Sequence, residues 1–574
     1  MEVTSSNFQE VLEELDVILK NATFLGIDGE FTGLNLIDVN VFDTPTEYYT
    51  KLRKSMDFLL IEFGLSVFTF DTETQKYSQR SYNFYVFPRP LNRTAPNHKF
   101  LCEASSIAFL AAVGFDFNKL FKLGIPYLNV NEGKEMLEHV QEKHKTKDES
   151  SVILFIPISD RPQIEEICAR ISKFIKSEEK ELVIKRCNTF IRRLVCQEIK
   201  LRWPNTFRID TEFSNAGCRI TIQKLGTKEA EMEKDAEKMK KDMTDVKQAV
   251  GLSILMKKLA NSGKLIVGHN MLLDLCHIIH QFFGDLPESY LEFKSLVHSL
   301  FPRLLDTKVL CQSEKLKDIV KSSNLTVLLE TVCKSPFEIM EVESIGGINY
   351  SISEEKYHEA GYDAYVTGIC FIALSNYLGS LETPKVSIVL ADSPVLAPFL
   401  NKLCVARLKD VPYINLVSYD IKPNRDHVFH LTFPKEWKSN DIYQLFKPLG
   451  SVYIAWLNDT SAYVQLHRRD QLQMAMRIVG KRKTYEIRTY ADYQASLKSN
   501  VNKEDSKETL SSPETVTMKK EKNSESMSSE KTSEADGWKV AKGKRRRKRT
   551  NQLEDAEDAP KPKIKAFDEI EPWE

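Results

Sequence analysis

Apolar and polar positions recur with two different periods along the chain, and each period predicts a type of element. Residues 24–31, FLGIDGEF, run from an apolar stretch into alternation, which predicts a strand. Residues 264–267, KLIV, form a short apolar run typical of a buried strand. A Gly-His-Asn turn follows, and a helical pattern begins at Met271. Another helix is predicted around the apolar run VTGICFIAL, which begins at Val366.

A different order of elements appears in residues 424–495. The strand patterns HVFHLTF, SVYIAWL, SAYVQL and TYEIRTY are interleaved with the helical patterns NDIYQLFKPLG and QLQMAMRIVG. The order β-α-β-β-α-β predicts a small α+β domain with the plan of an RNA-recognition motif. Its third strand, SAYVQL, lacks the usual basic-aromatic signature, which counts against ordinary base stacking across this strand.

Length and composition narrow the class of protein. The 574 residues correspond to roughly three to four domains. Their 80 Lys and Arg against 81 Asp and Glu exclude a uniformly basic nucleic-acid binder, although local patches stay possible. The cysteines form no Cys-x-x-Cys pair, which favours reduced thiols in cytosol or nucleus. We predict no secretory signal, because the N-terminus is acidic and has neither a cationic start nor an apolar stretch. We predict no membrane span, because no apolar run reaches about 18 residues.

Composition also predicts the limits of the segments. Mixed-sign charge and good helix formers predict a charged helical linker, solvated or mobile, before the apolar patterning resumes. The tail is rich in Ser, Thr, Lys and Glu, a composition typical of disorder. Its basic run, Lys539 to Arg549, is typical of a nuclear-localisation address or an RNA patch, or else of a solvated tail. The predicted segments are 1–148, 149–225, 226–247 (the linker), 248–400, 424–495 and 496–574 (the tail).

Asp28 and Glu30 are the first candidate site residues. Because residues two apart on a strand share a face, the two carboxylates are expected to project together. Adjacent carboxylates repel each other unless a cation neutralises them, and hard divalent ions such as Mg²⁺ prefer oxygen ligands. Alone, a D-x-E pair on a strand is also an ordinary pair of surface acids.

Two further carboxylates follow along the chain. Asp274 lies on the first turn of the helix after the strand at 264–267, and α/β folds place ligands at that end of the sheet. His358 and Asp363 stand five residues apart, so they would not share a face of one uninterrupted helix. They converge if His358 lies on the approach to the helix and Asp363 within it, with Gly361 near the break. A histidine beside activated water is a candidate general base.

Taken together, the acids follow the order D-x-E, D, H-x4-D. This order resembles the DEDD exonuclease superfamily in its subtype with a histidine. The runs FLGIDGEFTGL, SMDFLLIEFGL, NSGKLIVGHNMLLD, FPRLLDTK and HEAGYDAYVTG are more closely similar to the poly(A)-specific ribonucleases, with a likeness over about residues 7–495. The resemblance implies an α/β, ribonuclease H-like DEDD core in two halves, 1–148 and 248–400. It also implies 3′-to-5′ removal of poly(A) from capped messenger and small non-coding RNA by a homodimer.

The resemblance further implies roles for particular residues. It implies four ligands for two Mg²⁺ ions about 4 Å apart, which Mn²⁺ can replace, and His358 as the general base. It implies a nucleotide channel and a lysine that contacts phosphate or base. The metal ligands would be Asp28, Glu30, Asp274 and Asp363; the channel would be lined by Phe31, Leu34, Ile107 and Phe109, with Lys308 as the lysine. Apolar residues near a sheet are also ordinary core residues, so this reading stays open for the four that line the channel.

Two accessory modules complete the resemblance. Residues 149–225 occupy the place of a small nucleic-acid-binding insert of the Arg-x-x-x-His type. Here Arg193 is followed four positions later by Gln197, so both RNA binding and a purely structural insert stay open. The domain at 424–495 would bind the 5′ cap, with methylguanine stacked on Trp456. The alternative for Trp456 is a packed strand residue.

One departure and two competing functions remain. The family commonly has Gln where this chain has Glu62, and we expect Glu62 to be peripheral rather than to face the metal site. The first competing function is an RNA-binding adaptor whose DEDD fold is catalytically weak. The second is a DEDD enzyme that acts on DNA, against which the RNA-recognition plan argues.

Overall fold

The computed structural model describes residues 1–34, 38–90, 95–145, 154–204, 206–214, 217–226, 228–480 and 484–497. The chain divides into two compact units, Met1–Pro423 and Asn424–Glu574, and each is described by itself. The predicted nuclear-localisation run, Lys539 to Arg549, and the tail from residue 498 lie outside the described residues.

The first unit contains strands from a central sheet, a smaller sheet and a hairpin-like pair. Its strands are β1 Glu2–Val3, β2 Phe24–Phe31, β3 Leu60–Asp71, β4 Lys76–Tyr85, β5 Glu181–Cys187, β6 Phe207–Ser214, β7 Gly217–Lys224, β8 Leu265–Gly268, β9 Leu304–Asp306, β10 Val342–Gly347, β11 Lys402–Cys404 and β12 Tyr413–Asn415. The predicted strands at residues 24–31 and 264–267 correspond to β2 and β8. The hydrophobic patterns therefore predicted both the strand that carries Asp28 and Glu30 and the strand that precedes Asp274.

The helices of the first unit connect and cover these strands. They are α1 Phe8–Asn21, α2 Pro45–Arg53, α3 Ala104–Ala112, α4 Phe117–Leu123, α5 Val130–Lys145, α6 Arg161–Lys176, α7 Thr189–Arg202, α8 Lys228–Val250, α9 Leu252–Asn261, α10 Leu272–Ile278, α11 Tyr290–Leu300, α12 Thr307–Cys311, α13 Leu325–Val332 and α14 Ala360–Ser380. Among the described residues, no single helix is both long and apolar enough to cross a membrane. Helices α3 and α4, bent by 105°, reach that length and apolarity only as a pair.

The central sheet is mixed and lies between two apolar layers. Its strands run in the order β1-β4-β3-β2-β8-β9, and β10 also pairs with β4. Strand β2 is antiparallel to β3 and parallel to β8. Leu25 and Ile27 of β2 face one layer, with α1 and α9, whereas Phe24 faces the other, with α14. Since side chains alternate along a strand, Asp28 and Glu30 share the α14 face with Phe24.

Helix α14 lies unusually close to the sheet because two glycines face it. A Cβ atom at Gly26 of β2 would lie 2.4 Å from the carbonyl oxygen of Ala364. A Cβ atom at Gly64 of β3 would lie 1.9 Å from the carbonyl oxygen of Ala360. Any larger residue at either position would push the first turn of α14 away. The glycines thus bring that turn, which carries Asp363, against β2.

The segment between the two halves of the central sheet has a core of its own. Strands β5, β7 and β6 form an antiparallel sheet, and helices α6 and α7 pack against it. Gln197, which stands where the insert signature has histidine, is bonded to the backbone of Leu154 by N–H···O contacts of 2.6 and 3.0 Å. The predicted charged linker is helix α8, and ion pairs such as Lys238 to Asp210, at 2.7 Å, attach it to β6.

The second unit has the predicted β-α-β-β-α-β order. Its elements are β13 Val428–Thr432, α15 Ser439–Phe446, β14 Val452–Asn458, β15 Ser461–Leu466, α16 Leu472–Ile478 and β16 Glu486–Thr489. The strands form an antiparallel sheet in the order β14-β15-β13-β16. Both helices pack on one face of this sheet, where Phe429, Leu431 and Val464 form the core. The predicted plan of this domain is confirmed.

Candidate active site

Helix α14 places Asp363 and the residues before it opposite β2. Its first residue is Ala360, so His358 lies on the approach and Asp363 within the first turn, as predicted. The chain turns at His358 itself, whose φ is +68°, and not at Gly361. The His358 amide donates a 2.8 Å hydrogen bond to Asp363 Oδ2. This bond holds the turn so that potential ligand atoms of Glu30, His358 and Asp363 all lie within 4.8 Å of one another.

Asp274 reaches the same place from α10. The helix begins at Leu272, directly after the turn that follows β8, and Asp274 is 8% exposed. A Cβ atom at Gly29 would lie 3.0 Å from Asp274 Oδ1, so that oxygen rests on the β2 backbone between Asp28 and Glu30. The structure therefore brings together the four predicted acids and His358 from three separate segments of the chain.

Burial and mutual repulsion act in the same direction on these carboxyl groups. Burial raises the pKa of Asp28, and Asp363, Asp274 and Glu30 raise it further. Burial is also the main reason that the pKa values of Asp274 and Asp363 are each raised to about 7. Desolvation lowers the pKa of His358, a partly exposed residue, so its imidazole is neutral near pH 7. The site thus combines acids that resist ionisation with a histidine that can accept a proton.

The donor set fits hard divalent cations. Within the described part of the chain, Asp363 Oδ1 is buried without a hydrogen-bond partner, although Oδ2 of the same group accepts the His358 amide. An unpartnered buried carboxylate oxygen is costly unless a cation or water satisfies it. Oxygen ligands from several carboxylates are what Mg²⁺ and Mn²⁺ bind in proteins. The buried like charges and the unpartnered oxygen are therefore consistent with a divalent metal site.

Comparison with known proteins supports the same reading. The sequence profile described as CAF1 family ribonuclease matches residues 3–371, and the profile described as RNA binding domain matches residues 418–496. Poly(A)-specific ribonuclease PARN of Xenopus laevis is 40% identical over 511 residues, covering 86% of this chain and 81% of the relative. The chain belongs to the poly(A)-specific ribonucleases of the CAF1 family.

Two other relatives are similar over comparable lengths. Poly(A)-specific ribonuclease PARN of Homo sapiens is 41% identical over 512 residues, covering 86% of this chain and 80% of the relative. The pre-piRNA 3′-exonuclease trimmer of Bombyx mori is 28% identical over 517 residues, covering 87% of this chain and 94% of the relative. Family membership confirms the predicted enzyme class and the predicted nuclease fold with a C-terminal RNA-binding domain.

Glu62 is a fifth carboxylate beside this ribonuclease site, and the expectation that it would be peripheral is wrong. It lies on β3 directly opposite Glu30 of β2 and is 2% exposed. Its carboxyl group accepts the Ala360 amide at 3.1 Å, and the neighbouring Asn83 accepts the Gly361 amide at 3.1 Å. Burial raises the pKa of Glu62 to about 8. The residue therefore anchors the start of α14.

The predicted channel residues occupy two different environments. Phe31 and Leu34 are 7% and 8% exposed and belong to the core layer on the α1 side. Phe109 of α3 is 38% exposed, and its ring meets the His358 ring edge-on at a centroid distance of 4.7 Å. Ile107, two residues before Phe109 in the same helix, is half-buried. Only Phe109 among them is shown in contact with a candidate catalytic side chain; a channel role for all four stays a prediction.

Lys308 follows Asp306, a buried carboxylate to which the sequence analysis assigns no role. Asp306 is fully buried and accepts the amides of Asn270 and Lys308 through Oδ1, at 2.9 and 3.0 Å, and that of Cys404 through Oδ2, at 3.0 Å. It therefore ties the turn before α10, and hence Asp274, to α12. Lys308 is itself 6% exposed, and its predicted contact with phosphate or base stays a prediction.

The second unit carries a separate cavity. It has a volume of about 450 Å³ and is lined by Lys435, Trp437, Trp456, Leu457, Asn458 and Asp459. Trp456 is 40% exposed, and its ring stands perpendicular to that of Phe433 at 5.2 Å. Lys435 and Asp459 form a 2.8 Å ion pair at the cavity. Trp456 is therefore neither fully packed nor free: one side of the indole packs on Phe433 and the residue lines the cavity.

Proposed function

We propose that this ribonuclease removes poly(A) tails from RNA in the 3′-to-5′ direction and releases 5′-AMP. The observation that carries the proposal is the convergence of four acids, three of them buried, and His358 from three chain segments. Adenine preference is supported by the relatives from Xenopus laevis and Homo sapiens, which are poly(A)-specific ribonucleases. The pre-piRNA trimmer of Bombyx mori supports small-RNA maturation beside messenger RNA turnover.

In this proposal Asp28, Glu30, Asp274 and Asp363 hold two Mg²⁺ ions, which Mn²⁺ can replace. When bound, the ions supply charge stabilisation for in-line cleavage of the phosphodiester and lower the pKa of water. His358 is the general base, since its lowered pKa leaves the ring neutral and ready to take a proton from the attacking water. The bond from His358 N–H to Asp363 keeps the ring at the metal ligands.

The substrate path is proposed to pass α3. Phe109 is exposed beside His358 and offers an aromatic edge to the terminal nucleotide, and Ile107, Phe31 and Leu34 are proposed to line the channel with it. Lys308 would contact phosphate or base. Stacking and apolar contact are common ways to hold single-stranded bases.

The decisive experiment follows a 5′-labelled, A-tailed RNA in Mg²⁺. We expect shortening from the 3′ end to the boundary of the A-tract, abolished by chelator and by Asp28→Ala. Asp285→Ala is the matched control, because that side chain is 95% exposed. Equal activity of Asp28→Ala would contradict the metal assignment. An intact protein that binds but cuts no RNA would favour the adaptor, and one that cuts only DNA would favour the second competing function.

We also propose that the cavity of the second unit binds the 5′ cap. A methylated guanine carries positive charge, and an indole face attracts such a cation. The half-exposed Trp456 and the adjacent Asp459 suit that ligand. Trp456→Ala is expected to remove stimulation by capped RNA and to spare uncapped A-tracts, whereas Tyr443→Ala, on the 49% exposed α15 position, leaves both unchanged. Unaltered cap stimulation in Trp456→Ala would contradict this role.

The homodimer is proposed on the basis of α3. Helix α3 is apolar on most sides, and Leu101 and Val113, which flank it, are 53% and 43% exposed. Exposed apolar patches of this kind mark interaction sites. Light scattering should give the mass of two chains, and Val113→Glu should give one. Leu291→Glu, at a 70% exposed position of α11, is the control. A monomeric intact chain would contradict the proposal.

Nuclear and cytoplasmic location is the remaining proposal and is supported by composition alone. The run Lys539 to Arg549 has the basic density of a nuclear-localisation address. A fluorescent fusion of the full chain should appear in both compartments, and replacement of Arg545, Arg546 and Arg547 by Ala should leave it in the cytoplasm. A distribution unchanged by the replacement would contradict this assignment.

A further inference from the structure

Glu103 joins two segments that are distant in sequence, the chain just after β2 and the start of α3. It is the residue directly before α3, the helix that carries Ile107 and Phe109. Its Oε2 atom accepts the Leu34 amide at 3.1 Å, from a residue 69 positions earlier in the chain. The same oxygen accepts the Ser106 hydroxyl at 3.2 Å. Within the described residues the carboxylate makes no capping bond to α3, so its role is different from that of a helix cap.

Thr32 joins the same two segments through its backbone and its hydroxyl. Its carbonyl oxygen accepts the Glu103 amide at 2.8 Å, and its hydroxyl donates to the Leu101 carbonyl oxygen at 2.7 Å. A Cβ atom at Gly33, the next residue, would lie 2.9 Å from Glu103 Cγ. The chain after β2 therefore lies directly against the start of α3, and the Glu103 side chain spans the contact.

Helix α3 is held to the nuclease unit on one face. All residues of α3 are described, and Leu110 alone among them is buried; it belongs to an apolar cluster with Ile61 of β3 and Leu120 of α4. Glu103 and Leu110 are seven residues apart, so they share a face and are separated by about 10 Å along the helix. Apolar packing has no preferred direction, whereas a hydrogen bond depends on its angle. The Leu110 contact therefore anchors α3, and the Glu103 bond fixes its tilt about that anchor.

We propose that Glu103 is a positioning residue for the terminal nucleotide, because it sets the width of the substrate channel between Leu34 and Phe109. This role rests on the proposed function, which places both residues along the channel. Phe109 is six residues after Glu103, about 9 Å along the helix, and its ring meets the His358 ring at 4.7 Å. A change of tilt at Glu103 therefore moves Phe109 relative to His358. Contacts with the terminal base are then lost while every metal ligand stays in place.

The hydrogen bonds also predict which substitution preserves this role. One oxygen accepts both the Leu34 amide and the Ser106 hydroxyl, so a full carboxylate is not required. Glutamine offers such an oxygen with two lone pairs, and alanine offers none. The bond from the backbone amide of residue 103 to Thr32 remains in either variant. Glu103→Ala therefore removes the link to Leu34 and keeps the start of α3, and Glu103→Gln keeps both.

The test compares two A-tailed RNAs that differ only in the last residue, on the full chain with Mg²⁺. One RNA ends in adenosine and the other in an abasic ribose, which offers no base to the channel. Single-turnover rates for removal of that residue are measured with the enzyme below saturation. Glu103→Ala is expected to lower the ratio of the two rates at least about fivefold, the lower end of what one stacked base contributes. Glu103→Gln is expected to retain the ratio of the intact protein, and Glu135→Ala, at an exposed position of α5, is the control.

Hydrogen exchange of the Leu34 amide gives a readout that needs no RNA. We expect faster exchange in Glu103→Ala than in the intact chain, because the amide loses its acceptor. Glu103→Gln is expected to restore the slower exchange. Unchanged exchange in Glu103→Ala would overturn the link between the two segments.

The ratio of the two rates does not depend on how much protein is folded, since unfolding lowers both rates equally. A lower ratio in Glu103→Ala that Glu103→Gln restores would therefore support positioning and not a loss of stability. A Glu103→Ala protein that keeps the preference of the intact protein for the adenosine end would overturn the role of Glu103 alone. An intact protein that removes both ends equally would overturn the channel, and the role of Glu103 with it. Equal losses in the Ala and Gln variants would overturn the role of the hydrogen bonds.

Discussion

The nuclease unit buries carboxylates in two neighbouring but opposite settings. At the β2 and α14 site, acids face other acids, and Asp363 Oδ1 has no hydrogen-bond partner in the described part of the chain. At Asp306, three backbone amides surround a single carboxylate, and Lys308 adds a favourable charge. Burial raises the pKa in both places. Neighbours raise it further at Asp28, but hydrogen bonds and Lys308 counteract burial at Asp306.

This difference separates a site built for a ligand from a site built for the fold. Repulsion among buried acids destabilises the metal-free protein, so the cluster is explained by something that binds there. Asp306 needs no ligand, since its oxygens are satisfied by amides of three segments. The second setting supports the first: Asp306 fixes the turn at Asn270, whose φ is +62°, four residues before Asp274.

Asp28→Asn is expected to have the largest effect on activity. We predict a loss of at least about a thousandfold, because several kcal/mol of transition-state charge stabilisation depend on the metal ligands. The same change should raise the melting temperature in chelator, since it removes one of several mutually repelling charges. Initial rates on A-tailed RNA and thermal unfolding in chelator measure the two effects. A melting temperature that falls would mean that Asp28 has a structural role like that of Asp306.

Asp306→Asn is expected to destabilise the protein, whereas Asp28→Asn is expected to stabilise it in chelator. An asparagine has one acceptor oxygen, so its NH₂ group would face an amide donor that Asp306 now satisfies. We predict a loss of about 1.5 to 3 kcal/mol in the free energy of unfolding, the range for hydrogen bonds to charged groups. Chemical denaturation measures it, and exposed Asp318→Asn is the control. An unchanged free energy of unfolding would show that the three amide contacts are not stabilising.

The sequence predicts most of this fold because its local patterns and its tertiary contacts agree. The alternation and apolar runs that predict β2, β8 and the elements of the second unit persist in the structure. The prediction failed on strand β3, which carries Glu62. Leu60, Ile61, Glu62 and Phe63 are all buried, because both faces of the central sheet are covered. Alternation therefore gives no warning that Glu62 lies inside, and the expectation of a peripheral residue was wrong.

The candidate site was predictable only in part, for a related reason. The order of the acids along the chain predicts which residues meet, but not what holds them. Asp306 belongs to the run FPRLLDTK, in which only Lys308 is assigned a role from the sequence. Its signal was an aspartate between an apolar run and a new helix, the usual place of a helix N-cap. That it also binds the amides of Asn270 and Cys404 depends on segments distant in sequence.

The raised pKa values of the acidic cluster also predict that the stability of the protein, with and without Mg²⁺, depends on pH. Asp274 and Asp363 have folded-state pKa values of about 7, above their unfolded values near 4. The folded protein holds protons that the unfolded chain releases, so its metal-free stability falls as pH rises from about 4 to 7. Bound Mg²⁺ replaces those protons. The increase in melting temperature from Mg²⁺ should therefore grow over this range; a constant increase would contradict the raised pKa values.

Glu62→Gln is expected to have the smallest effect on stability and activity. Glu62 lies in the acidic cluster, and its carboxyl group also accepts a backbone amide, as that of Asp306 does. Its carboxyl group accepts the Ala360 amide, as Asp306 accepts amides, and it also lies opposite Glu30 within the acidic cluster. Glutamine keeps an acceptor for that amide and replaces a carboxyl group whose pKa is raised to about 8, so that the group is already mostly uncharged at pH 7. We predict a change within about 1 kcal/mol in the free energy of unfolding and little change in kcat. Glu62→Ala should lose more of both, since it leaves the Ala360 amide unpaired and frees the turn that carries Asp363. Equal losses in the two variants would show that the charge of Glu62, and not its hydrogen bond, positions α14.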